Sequence, residues 1–282
     1  MLALIIVSII WALSFGLTAQ VSDLGAPFVT AVRTVLAALV FLPFLSLKGW
    51  QFRRVMVFAG IGALQFGLMY LLYIASFRWL RPSEVALFTI FTPLFVALVS
   101  GLLEKRMPWL VWCSVVVAVL GTGICVWSGV HRAGMVRGFL LMQGANACFA
   151  VGQVLYRREA PGTGKRDREL MGLLYLGASV VAVAMAVPSI QWDKVAGMNL
   201  RQAAVLIYLG VVASGLGFFL FNAGARRTDI GTLAIFNNMK VPLAILASGL
   251  VFGESVDWPR LALGGVVIAL ALGLNGLSGG RP

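Results

Sequence analysis

Residues 78–106 read RWLRPSEVALFTIFTPLFVALVSGLLEKR, and residues 227–255 read RTDIGTLAIFNNMKVPLAILASGLVFGES. At an offset of 149, Arg78 meets Arg227 and Pro93 meets Pro242. One added residue later, Glu104 meets Glu254, and Trp109 and Trp258 follow. Two such stretches in one chain make an internal repeat. Each is long and apolar enough to cross a bilayer once, which takes about 20 residues.

Working outward, ten stretches qualify as spans: about 2–20, 26–47, 55–77, 82–103, 109–129, 136–156, 170–188, 203–223, 229–251 and 259–277. They are continuously apolar rather than alternating, which predicts helices and not barrel strands. The first lacks a basic leader and has a long apolar run, so it is expected to span rather than be cleaved. The repeat aligns spans 3–5 with spans 8–10, giving halves 1–130 and 136–277 of five spans each. Two like halves with an odd number of spans cross the membrane in opposite senses. The expected fold is therefore all-α: a polytopic membrane protein of ten transmembrane helices, built as two inverted five-helix repeats. Inverted repeats are a mark of secondary transporters.

Composition agrees. Of 282 residues, 60% are hydrophobic and 11% charged, with mean hydropathy +0.96. An ordinary soluble enzyme, a disordered chain and a disulfide scaffold are excluded. The net charge of +12 lies in loops between apolar blocks, with no nucleic-acid motif, so nucleic acid is not the expected partner. Thirteen loop lysines and arginines, from Lys48 to Arg281, fall on one side and seven, from Arg78 to Arg260, on the other. That asymmetry places both termini in the cytoplasm, in the bacterial inner membrane. One histidine, His131, and three cysteines inside apolar blocks leave no metal site and no cofactor to expect. The absence of G-x-x-x-x-G-K-[ST] excludes ATP-driven transport by this chain alone, and no hydrolase motif appears. Ten spans suffice for a monomer.

The chain resembles the ten-helix permeases of the drug/metabolite transporter superfamily with two EamA-type repeats. The resemblance is carried by Trp11 and Ser14, Arg33, FTPLFVALVSGLLEKR at 91–106, KVPLAILASGLVFGES at 240–255 and YLGVVASGLGFFLFNAGARR at 208–227. It implies alternating-access transport of a small organic solute, outward, with amino acids or related metabolites first, as in YddG-like exporters. Drug or quaternary-amine export is the alternative. A channel or a non-transporting scaffold is the alternative outside the class.

Ionisable groups at bilayer depth are costly and need a reason. Lys240 lies mid-span in Asn237-Asn238-Met239-Lys240-Val241-Pro242, where the proline frees a carbonyl one turn earlier. It can meet a solute carboxylate, or pair internally, with Glu84 for instance. Arg33 is expected to bond backbone carbonyls or reach towards the nearer face. Glu84, near a helix N-terminus, is expected to serve that terminus. The candidate solute contacts are Lys240, Asn237, Trp11, Ser14, Tyr70, Tyr73, Thr89, Asn146 and Asn222. Gln65, Thr92 and Gln153 are weaker candidates. Tyr73 and Asn222 are equivalent at the offset of 149. Trp11 and Tyr70 offer aromatic walls.

Overall fold

The computed structural model describes residues 2–104, 134–225 and 230–253, with single positions at 109, 113, 258, 259, 262, 263, 266 and 270. The expected spans 109–129 and 259–277 therefore lie outside the described residues. Eight helical passes are described: α1 (Leu2–Ala19), α2 (Ala26–Phe44), α3 (Phe52–Ser76), α4 (Pro82–Leu103), α5 (Met135–Glu159), α6 (Asp167–Ser189), α7 (Leu200–Gly224) and α8 (Ile230–Leu250). The described residues contain no strand. Helices α2–α7 are each long and apolar enough to cross a membrane. Away from their ends they expose aliphatic side chains such as Leu39, Leu140 and Val180, as a lipid-facing surface requires.

The halves interlock rather than sit side by side. Helix α1 packs on α8 as α5 packs on α4. Helix α3 packs on α5 and α6 as α7 packs on α1 and α2. Helices α2 and α6 meet each other, and so do α4 and α8. Exchanging the halves maps this packing onto itself.

Direction shows the inversion. Call the end where α1 starts the first face; three short connections then put the start of α4 at the second face. Helix α5 also starts there, because a Cβ on Gly138 would stand 2.6 Å from Leu80 Cγ. It finishes at the first face, where Arg54 Nη1, at the start of α3, donates to Gly162 O at 2.8 Å. The opening helix of the second half thus runs against the opening helix of the first.

Two local features bend the passes. Helix α3 contains a π segment at Ala63–Leu68 and its counterpart α7 one at Tyr208–Leu216. Helix α4 contains a 3-10 turn at Thr89–Phe91, just before Pro93. Close approach joins α3 to α6: Gly62 lies against the backbone of Leu174, and Gly177 against that of Ala59. Without a strong hydrophobic drive between helices in lipid, such close contact is what holds them.

Candidate functional site: a cationic cavity between the halves

Pro93 has no N–H to give Thr89 O, the acceptor four residues back. The chain tightens, and Thr92 N–H bonds Thr89 O instead of Phe88 O. Phe88 O loses its α-helical donor at Thr92 and keeps a lone pair for a second partner. Asn146 of α5 meets it: its Nδ2 donates to Phe88 O at 2.8 Å. The Asn146 Oδ1 accepts from Thr92 Oγ1 at 3.1 Å, and Nδ2 also reaches Gln143 Oε1 at 3.3 Å. One amide thus fastens the break in α4 to the other half.

The π segment of α7 works in the same way. Gly217 N–H bonds Val212 O and Ser214 O, which leaves Ala213 O. Trp11 Nε1 of α1 donates to Ala213 O at 3.0 Å. Tyr175 OH of α6 donates to Ser214 O at 2.7 Å. The Trp11 ring is then held against Phe218 and Phe221, with centroids 4.7 and 5.0 Å away.

Arg33 is only 2% exposed, and it neither bonds backbone carbonyls nor reaches a face, contrary to the expectation from sequence. It bonds hydroxyls on three other helices. Nη2 donates to Tyr70 OH at 3.0 Å, Nη1 to Thr18 Oγ1 at 3.2 Å and Nε to Ser214 Oγ at 3.2 Å. Its Cζ stands 4.0 Å from the Tyr70 ring centroid. Those hydroxyls provide polar solvation that lipid would not. Arg33→Lys, which keeps the charge but cannot make the fork, is expected to lower transport about tenfold by losing about 1.5 kcal/mol of this network. Solute flux and detergent thermal stability, measured together, check it.

These groups converge on one cavity of about 80 Å³ that opens to solvent. Trp11, Ser14, Tyr70, Tyr73, Thr89, Asn146 and Lys240 all line it. Lys240 Nζ stands 5.0 Å from the Trp11 ring centroid. Arg33 and Thr92 line it too, with apolar walls from Phe15, Met69 and Phe218. Among the described residues, no aspartate or glutamate lines it. Glu84 serves its helix terminus: its Oε2 accepts from Arg81 N–H at 2.8 Å in the first turn of α4.

Of the other two candidates, one stands elsewhere. Asn222 is fully buried but donates to Met171 Sδ at 3.4 Å and does not line the cavity. Asn237 lies on α8, and its side chain is outside the described residues. Gln65 and Gln153 are buried without lining the cavity.

The lining residues of α4 and, apart from Phe149, those of α5 lie in the half of each helix nearer the second face. Towards the first face, Phe58, Phe66, Tyr156, Leu170, Met171 and Tyr175 are 1% exposed or less. Phe66 stacks on Tyr175, centroids 4.7 Å apart, and Tyr156 OH donates to Asp167 Oδ1 at 2.6 Å. Among the described residues, these side chains fill the bundle on the first-face side.

The sequence pattern of the EamA-like transporter family matches residues 1–127 and again 136–276. The chain is 38% identical to the probable biotin transporter of Pseudomonas aeruginosa, covering 97% of this chain and 96% of that one. It is 37% identical to the biotin transporter of Escherichia coli, covering 96% and 91%. The biotin transporter of Salmonella typhimurium is 36% identical, covering 96% and 91%. A crystal structure of a protein 18% identical superposes with a TM-score of 0.71 over 99% of this chain and 96% of that one, a likeness of fold.

Proposed function

Since the chain belongs to the EamA-like transporter family, we propose that it carries biotin, or a carboxylate solute built like biotin, through the cavity between its halves. One observation carries this reading: the cavity holds two cationic side chains, Arg33 and Lys240, beside an indole, with no acidic residue among the described residues of its lining. Such a site favours an anion with an apolar body. Biotin has both, a carboxylate on an aliphatic tail and a compact ring system. The relatives' names point to the same solute.

The cations disfavour a quaternary amine, which they would repel. They also disfavour a zwitterionic amino acid, whose ammonium would find no carboxylate among the described lining residues. Amino-acid export, expected from sequence, therefore gives way to biotin transport. Transport proceeds by alternating access, with the two inverted halves 1–130 and 136–277 offering each face in turn. The protein works as a monomer in the inner membrane, with the first face and both termini cytoplasmic. Solute and ion gradients set the direction of flux.

The test is counterflow of radiolabelled biotin in proteoliposomes without nucleotide. Saturable biotin uptake into biotin-loaded vesicles is expected. Uptake of alanine or phenylalanine with none of biotin would replace this reading with the amino-acid one.

A further inference from the structure

The cavity sorts donors from acceptors, and the sorting describes the other end of the solute. A hydroxyl that has given its proton to a protein acceptor keeps only lone pairs for a ligand. Ser14 Oγ donates to Trp11 O at 2.7 Å, and Thr89 Oγ1 to Ala86 O at 2.8 Å. Thr92 Oγ1 donates to Asn146 Oδ1, and the Asn146 amide gives its protons to Phe88 O and Gln143 Oε1. Tyr70 is committed as well. Ser214 Oγ donates to Leu209 O at 2.7 Å, so the 2.8 Å contact between Tyr70 OH and Ser214 Oγ takes the tyrosine proton.

What Ser14, Thr89, Thr92 and Asn146 offer a ligand is lone pairs alone. All four line the cavity, on α1, α4 and α5. We propose that they form an acceptor-only wall that selects solutes by N–H donors on a ring of the cyclic-urea or lactam kind, while Arg33 and Lys240 take the anionic end. This rests on the biotin reading above and deepens it: the wall receives the two N–H groups of biotin's ureido ring. A solute presenting only acceptors to the wall meets lone pair against lone pair, without the donors that would replace its lost water.

Three analogues on the unaltered protein test this, by competition against labelled biotin counterflow. The first is biotin with a ureido nitrogen blocked by a methoxycarbonyl group. The second is desthiobiotin, which keeps the urea and lacks the sulfur ring. The third is biotin methyl ester, which keeps the urea and lacks the carboxylate. The blocked compound is expected to compete at least about tenfold more weakly than biotin, and desthiobiotin within about threefold. The ester loses affinity through the cations and not the wall.

Thr89→Val and Thr92→Val then supply a readout that a merely structural role would not move. Each is expected to raise the KM for biotin and to narrow the gap between biotin and the blocked compound; Thr89→Ser restores it. The blocked compound competing as well as biotin, or the gap standing unchanged in both valine variants, would overturn the wall while leaving biotin transport intact. No biotin flux from the unaltered protein would overturn the function itself, and the wall's assignment to biotin with it.

Discussion

Lys240→Met is expected to reduce biotin flux by at least about 30-fold while the protein stays folded. Losing one partner of a desolvated charge pair costs about 2–5 kcal/mol, and each 1.4 kcal/mol is about tenfold. The lysine sits against Trp11 in the cavity lining and is 7% exposed. A methionine of similar length fills the space and spares the cost of a buried ammonium. Thermal stability in detergent, measured alongside, separates loss of solute binding from loss of folding. Lys240→Arg keeps the charge and should lose less than about tenfold. Flux at the original rate in a well-folded methionine variant would remove the cation from the mechanism, and the carboxylate assignment with it.

The second large effect is on assembly. Gly177→Leu is expected to cost about 3 kcal/mol or more and to abolish recovery of monodisperse protein. Overpacking a core normally costs about 1–3 kcal/mol because side chains shift to make room. Here the neighbour is the Ala59 backbone, which cannot rotate away. Gly62 meets the Leu174 backbone in the same manner, so α3 and α6 have no slack along their seam. Gly60, on the same helix as Gly62, has open space where a Cβ would go. Gly60→Leu is thus the control, expected to elute as the original does in size-exclusion chromatography. Equal recovery of both variants would contradict the packing described.

The architecture was legible because it depends on counting. Apolar length predicts a span, and an odd number of spans per copy predicts inversion, with no knowledge of contacts. Lys240 and Asn146 were legible as candidates because polarity at bilayer depth is rare. Their partners were not. The hydroxyls around Arg33 come from α1, α3 and α7, residues 18, 70 and 214. No local spacing announces that meeting.

Asn222 shows a subtler limit. Its equivalence to Tyr73 by offset assumes that helix phase is kept between copies. Yet the π segments differ, six residues in α3 and nine in α7. A residue in a π turn advances the helix by less than the α-helix's about 100°, so a longer π segment changes the phase of everything after it. Tyr73 lines the cavity, whereas Asn222 contacts Met171. The apolar walls were hidden for another reason: in a helix that is hydrophobic all round, lipid-facing and cavity-facing positions carry the same residue types. The substrate was hidden too, since a lysine in a span does not separate one carboxylate from another.

The carboxamide that clasps Phe88 O also borders the space a solute fills. Loading and helix curvature are consequently not independent variables. Whatever leans on Asn146 from inside the chamber leans on the joint of α4 as well, and any straightening of that joint is felt as an altered grip on the cargo. The carrier has no need of a separate lever between its binding chamber and its moving parts, since a single side chain belongs to both.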